Sequence, residues 1–453
     1  MKKVLLTVAI ILWAASAHAA TRYIDCAVSS SGDGQSWAAA WKNFDNISGL
    51  GAGDTVYISG SASCSTYAVN GWTPINGTIS NPITYRIGQD AGHNSPITII
   101  NSANPWLKGQ GGNVVGVVID GNYNGTRSIT VTGSTIAAGN ANGFKLRYIN
   151  LDSPMQVGTY QNGEMDHIYV DLGSNDNHFY ASSASAGDIG YTSNLIHDST
   201  FRLRHYTPLG TGDDGFQWIE NASFWNNSWI GVSDGNTSFV NHQDGIQTSG
   251  SYVAIYNNYF ENMSNSAIFG EFYGNGSHWR IYNNVFNYSD PIIINAGSSS
   301  GTYSIGLGCH GSGLTLSDII VANNTIVYGG VGISLGGYSG CVAVNSSYVV
   351  NNIIYGVGNV LDLKNYNGVL SNNATSASNI NFVSSSDFHL TSISTAAIDS
   401  GINPSYLTAV YTKDKDGISR SQGSAWDVGA YEFAGNSGNK TAKPMAPTSL
   451  RLN

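Results

Sequence analysis

Charge is scarce in this chain: Lys, Arg, Asp and Glu together make up 11% of its 453 residues. The basic sign is the scarcer one, 19 residues against 29 acidic. That balance argues against nucleic acid or an anionic membrane surface as partner. A hydrophobic share of 41% excludes a disordered chain, and long helix formers are too few for a helical protein. No stretch reaches eighteen consecutive apolar residues, so no membrane-spanning helix is expected. Cysteine is limited to four residues, none in a Cys-x-x-Cys or Cys/His spacing, which argues against a zinc site.

What the chain does have is a returning phrase, a mostly apolar pair followed by Asn-Asn. It reads Phe224-Trp225-Asn226-Asn227, Ile255-Tyr256-Asn257-Asn258, Ile281-Tyr282-Asn283-Asn284, Val321-Ala322-Asn323-Asn324, Val349-Val350-Asn351-Asn352 and Leu370-Ser371-Asn372-Asn373. The intervals between first Asn residues are 31, 26, 40, 28 and 21. A period of that size that tolerates insertions marks a solenoid, here built of short strands. Stacked coils would pile the Asn side chains into a ladder, each amide bonded to its neighbours above and below. The 55 Gly residues and the many Asn suit positive-φ corners. The fold class expected is all-β, a right-handed parallel β-helix of about ten coils, with function on its outside.

The N-terminus reads as a secretory signal. Lys2-Lys3 precede an apolar run from Val4 to Ala15, and Ala17-His18-Ala19 is a small-x-small cleavage site. Cleavage after Ala19 would leave 17 basic and 29 acidic residues, a net charge of −12, on an exported chain (periplasmic, cell-surface or extracellular). The four cysteines, Cys26, Cys64, Cys309 and Cys341, allow three pairings in an oxidising compartment. Cys26–Cys64 with Cys309–Cys341 is the local choice.

Residues 20–95 read as an entry region of cap and first strands. Within it, Ser36 to Phe44 is helix-like and would cap the open end of the solenoid. Residues 96–386 read as the β-helix, with Asp or Asn at 120, 150, 171 and 198 before the Asn-Asn series begins. From Asp387 the phrases change: Asp387-Phe388-His389-Leu390, Asp414-Lys415-Asp416-Gly417-Ile418-Ser419-Arg420 and Asp427-Val428-Gly429-Ala430-Tyr431-Glu432-Phe433. Residues 387–433 resemble the C-terminal closing segment of secreted bacterial pectate-lyase-like right-handed β-helix proteins. The entry phrases Gly32-Asp33-Gly34-Gln35-Ser36-Trp37 and Ala52-Gly53-Asp54-Thr55-Val56-Tyr57 are similar to the same group. The resemblance covers nearly the whole mature chain and implies the fold. That group holds lyases, hydrolases and adhesins. Residues 434–453 form a Gly/Ser/Lys/Pro tail, a linker or a docking element.

Aligning the coils on the Asn pairs exposes a candidate site. Twelve or thirteen residues upstream of four pairs stand Asp214, Asp244, Glu271 and His310, each in a Gly-rich context. The phrases Asp214-Gly215-Phe216-Gln217 and Asp244-Gly245-Ile246-Gln247 lie 30 residues apart, one coil. Kept in register, the four would form a column at about 4.8 Å spacing. Stacked carboxylates of that kind call for a cation among them or a retained proton. Ca²⁺ is the one cofactor expected, held by Asp213, Asp214, Asp244 and Glu271, and otherwise none.

In pectate-lyase-like enzymes, carboxylates from adjacent coils hold Ca²⁺, the metal binds a uronate, and Arg or Lys takes the α-proton. Arg280 is the candidate base, with Arg204 and His205 on the approach. His242 and His310 are further catalytic candidates, and Trp218, Tyr273 and Trp279 are candidate sugar platforms. The hydrolase alternative uses two carboxylates as acid and base around a glycosidic bond. Gly212-Asp213-Asp214, Asp244-Gly245-Ile246 and Cys309-His310-Gly311 distantly resemble polygalacturonase elements, though their order differs from that family's. An Asp before Gly is also a common turn residue, and Trp279 beside Arg280 also suits simple stacking. The reading favoured is a lyase on a uronate-containing extracellular polysaccharide. A non-catalytic adhesin or assembly subunit docking through the tail is the reading from another class.

Overall fold

The computed structural model describes residues 19–101, 107–108, 112–133, 136–152, 155–171, 178–181, 193–206, 211–212, 214–232, 243–289, 303–338 and 340–435. Its strands run parallel, coil on coil, in the right-handed sense that parallel crossovers take. Each regular coil contributes three short strands. In one coil these are Asp244–Thr248 on a first face, Val253–Tyr256 on a second and Tyr259–Glu261 on a third. Eleven strands succeed one another on the third face among the described residues. No helix there is long and apolar enough to cross a membrane.

Alternation within each strand decides what is buried. Phe224, Ile255, Ile281, Val321 and Val349 are register partners on the second face, and none retains accessible surface. Burying each side chain stabilises the stack by about 1.5–3 kcal/mol. The third face adds a column of rings, with Phe201 on Trp229 at 4.2 Å between centroids and Phe260 on Phe286 at 4.9 Å. One residue over, the side chains point outward, and there the polar and aromatic rows begin.

The Asn-Asn phrase divides into two jobs. The first Asn turns the corner from second to third face with left-handed backbone: φ is 53° at Asn226, 58° at Asn257, 55° at Asn283, 51° at Asn323, 59° at Asn351 and 52° at Asn372. Asn tolerates that region better than other side-chain-bearing residues. The second Asn faces the interior and builds the ladder. Asn258 Oδ1 accepts from the backbone N–H of Asn227 (3.0 Å), and Asn284 Oδ1 from that of Asn258 (2.9 Å). Asn324, Asn352 and Asn373 continue it at 3.0 Å each. Each ladder amide also donates to a backbone carbonyl, as Asn284 does to Ile255 (2.8 Å). Buried polar groups are thus paired rather than stranded.

The entry differs from the expected helical cap. Only Phe44–Asn46 is helical there, a single 3₁₀ turn. Trp41 instead bridges to Ile24 as extended backbone, and its N–H and carbonyl bond Tyr23 and Asp25. Trp41 and Phe44 are 3% and 2% exposed, so burying these rings overrides the helical preference of Ala38 to Ala40 before them. The first edge strand is covered by a loop. Parallel pairing already starts with Thr21–Ile24 on Thr55–Ile58, inside residues 20–95. Cys26 is bonded to Cys64 and Cys309 to Cys341, the local pairing. Residues 1–18 of the expected signal segment 1–19, and residues 436–453 of the expected tail 434–453, lie outside the described residues.

Beyond Asn373 the chain folds back along the solenoid's corner. Arg420 is its centre: the guanidinium donates to Glu432 Oε1 (2.8 Å) and Asn283 Oδ1 (2.8 Å), and both partners of the ion pair are fully buried. Glu432 also accepts from the N–H of Asp427 (2.9 Å), while Asp414 accepts from the N–H groups of Asp416, Ile418 and Glu432. The spaced acidic, Arg and Gly residues of this segment therefore form one network.

Candidate functional site

The two Asp-Gly-x-Gln phrases do stack in register, with Phe216 beside Ile246 and Gln217 beside Gln247. Their glycines are required by close approach. A Cβ on Gly215 would stand 2.0 Å from the carbonyl oxygen of Gly245, and one on Gly245 2.6 Å from that of Ala267. Asp214 and Asp244 retain no accessible surface. The N–H of Asp244 donates to Asp214 Oδ1 (2.9 Å), and Asn265 Nδ2 donates to both oxygens of Asp244 (2.9 and 3.2 Å). Burial, then the neighbouring Asp214, pushes the Asp244 carboxyl well above the usual carboxylate range.

The straight column does not continue. Asp244 is level with Ser266, whereas Glu271 is level with Gly308. The coil offset is 22 residues at the Thr248–Gly270 pair but 26 at the Val253–Trp279 pair. Extra residues after Gly270 carry Glu271 beyond the aspartates, toward the corner. Counting back from the Asn pairs hid this insertion.

Side-chain reach restores the connection. Gln217 Nε2 donates to Asp214 Oδ2 and to Gln247 Oε1 (3.1 Å), and Gln247 Nε2 donates to Glu271 Oε2 (3.1 Å). The other oxygen of Glu271 accepts the Tyr273 hydroxyl at 3.0 Å and lies 2.8 Å from His310 Nε2. Tyr273 is 61% exposed, with its ring 5.9 Å from Trp218 and 5.0 Å from His310. Asp214, Asp244, Glu271, His310, Tyr273 and Trp218 thus belong to one chain of contacts that surfaces at Tyr273. Gln217 and Gln247 are links that sequence reasoning missed, although the repeated phrase displayed them. Partial burial and the Glu271 carboxylate push the Tyr273 phenol up.

Other expected positions separate from this chain. Trp279 has no accessible surface and donates its indole N–H to the Gly250 carbonyl (3.0 Å), so it is core and not a sugar platform. Alternation turns Arg280 outward on the second face. There its guanidinium donates to the Asp318 carboxylate and carbonyl, both at 2.6 Å, away from the base position expected for it. Arg204 stands on the third face, donating to Asp171 at 2.7 and 2.9 Å. His205 pairs by its backbone with Gly212. Asp213 and His242 lie outside the described residues. The three described carboxylates offered for Ca²⁺ do not fit one shared surface site. Two are without surface, and Glu271 already accepts from Gln247 and Tyr273.

A second polar group lies on the second face, several coils toward the N-terminus. Register places Arg86, Asp120, Arg147, Asp166 and His197 in one outward row, with Lys145 and Glu164 beside it. Glu164 takes Lys145 at 2.8 Å and Arg147 at 2.6 Å, and Arg147 also reaches Asp166 (3.3 Å). Burial alone would pull the His197 imidazole down, but Asp198 (2.8 Å) and Glu164 (3.4 Å) hold it up at about 9. Against its burial, His197, Lys145 and Arg147 in turn hold the Glu164 carboxyl well below the usual range. Ligand atoms of Glu164, Asp166 and His197 lie within 4.8 Å of one another, with Lys145 and Arg147 supplying the opposing charge. Lys145-Leu146-Arg147 and Glu164-Met165-Asp166 carried this signal as opposite charges at period two.

No protein-family profile matches the chain, and no curated protein does. Among solved structures, it is similar to pectate lyase Pel9A at 17% identity, covering 92% of this chain and 97% of that one, with a TM-score of 0.40. It is also similar to a GH136 lacto-N-biosidase from Eubacterium ramulus at 12% identity, covering 79% of this chain and 67% of the other, with a TM-score of 0.40. The fold assignment rests on the strand registers themselves.

Proposed function

We propose that this chain is a secreted polysaccharide-active protein, and that it is a lyase cleaving a uronate-containing glycan by β-elimination. The observation that carries the reading is the Glu271 carboxylate shared between an exposed Tyr273 hydroxyl and His310, beside the Trp218 ring. In the reaction a base removes the proton α to the uronate carboxyl, the bond to the leaving oxygen breaks, and a carbon–carbon double bond forms. His310, oriented by Glu271, takes that proton. Tyr273, its phenol kept protonated, supplies one to the departing oxygen. Trp218 offers a face for an adjoining sugar. No step is routed through Ca²⁺, because the described carboxylates do not assemble a site for it.

The hydrolase alternative needs two carboxyls that reach the glycosidic bond, and Asp214 and Asp244 retain no accessible surface with which to do so. The test is a panel of acidic and neutral polysaccharides, with and without Ca²⁺, read by ultraviolet absorbance of unsaturated product and by reducing ends. Absorbance that falls about 10²–10⁴-fold in Glu271→Gln and Tyr273→Phe supports the lyase. Reducing ends without absorbance support the hydrolase. Absorbance unchanged in both variants overturns the site. Silence across the panel moves the assignment to an adhesin or assembly subunit.

A further inference from the structure

A cleft of about 450 Å³ opens at the corner between second and third faces, among the coils that hold the charged row. Its lining is Gly125, Thr126, Arg127, Tyr148, Asn150 and His167. One wall is a two-stranded hairpin, Asn122–Tyr123 paired with Thr126–Arg127, that projects from the regular coil. The floor is a stack of two rings, Tyr148 on His167, 4.2 Å between centroids and 10° from parallel. Both residues occupy the left-handed corner position, with φ of 54° and 52°. Later coils fill that position with Asn, the residue suited to it. A bulky ring in that backbone region is strained.

Arg127 is the second observation. Six described arginines stand on carboxylates: Arg86 on Asp120, Arg147 on Glu164, Arg202 and Arg204 on Asp171, Arg280 on Asp318 and Arg420 on Glu432. Arg127 is half-buried, and its Nε donates to the His167 carbonyl. Among the described residues its terminal nitrogens meet no carboxylate. In a chain so poor in cations, an oriented guanidinium lining a ring-floored cleft is suited to receive an anion.

We propose that this cleft is a non-catalytic binding site for a uronate residue, with the sugar ring on Tyr148 and the carboxylate on Arg127. Asn150 and Thr126 are placed to bond sugar hydroxyls. The site lies about 20 Å along the solenoid from Glu271, four or five coils at ~4.8 Å each, and on a different corner. It would hold an acidic glycan to the protein apart from the Glu271 site proposed for cleavage. Only the choice of uronate as ligand rests on the lyase reading.

The test uses the mature chain carrying Glu271→Gln, so that ligand is not consumed. Trimers of galacturonate, mannuronate and glucuronate, and their carboxyl-reduced counterparts, are titrated by calorimetry. Hydrogen exchange of the 122–127 hairpin is followed in parallel. At least one acidic trimer should protect the hairpin, and the reduced form should bind at least 10-fold more weakly. Arg127→Gln should abolish the protection. Tyr148→Asn, which installs the residue that later coils use at this corner, should weaken binding about 10-fold without loss of fold. No protection by any trimer, or equal protection by the reduced form or in Arg127→Gln, overturns the proposal. Either result is independent of the activity panel: hairpin binding with a silent panel removes the lyase, and activity without hairpin binding removes only this site.

Discussion

One corner row runs through most of the molecule, and its two stretches behave differently. From Asn257 to Asn372 the left-handed corner residues are covered by the returning C-terminal segment. Lys415 Nζ donates to the Asn257 carbonyl (2.6 Å), Asn283 Nδ2 to Lys413 (2.8 Å), Asn323 Nδ2 to Asp427 (2.8 Å), Asn351 Nδ2 to Ile402 (2.8 Å) and Asn372 Nδ2 to Ser400 (2.9 Å). From Tyr148 to Asn226 the same row is touched by the 122–127 hairpin only through Arg127 on the His167 carbonyl, among the described residues, and otherwise bonds its own neighbours. His167 meets Asp166, Asp198 meets His197, and Asn226 donates to Asp198 (3.2 Å). The backbone requirement is the same in both stretches, but the side-chain requirement is not. Where another segment must dock, Asn serves as both corner and hydrogen-bonding surface. Where the C-terminal segment does not reach, the row carries rings and charges, the surface proposed above to meet a ligand.

The sharpest way to break this contrast is to remove the clamp on the covered stretch. Arg420→Ala leaves Glu432 buried without its partner and should destabilise the protein by about 3–5 kcal/mol in denaturant unfolding. The double variant Arg420→Met with Glu432→Gln should recover much of that loss. If Arg420→Ala is neutral, the covered stretch is not held by its clamp.

On the open stretch the corresponding lever is pH. The folded His197 imidazole is held at about 9, above its unfolded value near 6.5. Its stabilisation is therefore fully present below pH ~6.5 and is lost as pH rises through about 9. The loss should be about 3 kcal/mol, and His197→Gln should remove that part of the pH dependence. Melting curves between pH 6 and 10 for the two proteins check it, and parallel slopes would refute the pairing.

The smallest effect compares the stretches directly, using glycine so that the left-handed corner survives. Asn283→Gly loses its bonds to Lys413 and Arg420 and should destabilise by about 1–2 kcal/mol. Asn226→Gly loses only a bond to Asp198 among the described residues and should change stability by about 0.5 kcal/mol or less. Equal costs in urea unfolding would erase the distinction.

The candidate site was legible in part. Glu271 and His310 stood out as polar residues beside Gly, Tyr273 and Trp218 as aromatics in the same coils, and they do meet. Arg280 and Trp279 stood out equally, but their strand lies past the corner, where alternation sends one to Asp318 and the other into the core. Gln217 and Gln247 were visible only as parts of a repeated phrase. Their amides gain a role once Glu271 is carried to within their reach. The charged row at Arg147, Asp166 and His197 falls in coils without the Asn-Asn phrase, so nothing in the repeat drew attention to it.

The sequence by itself determined the winding. Alternating apolar residues, Asn at left-handed corners and a second Asn for the ladder are local demands repeated in every coil, and local demands can be read one coil at a time. Only the tertiary structure decided which outward residues became neighbours. Corner lengths vary from coil to coil, and each extra residue changes what lies above and below without disturbing the interior stack. The interior is specified by pattern, the surface by accumulated register.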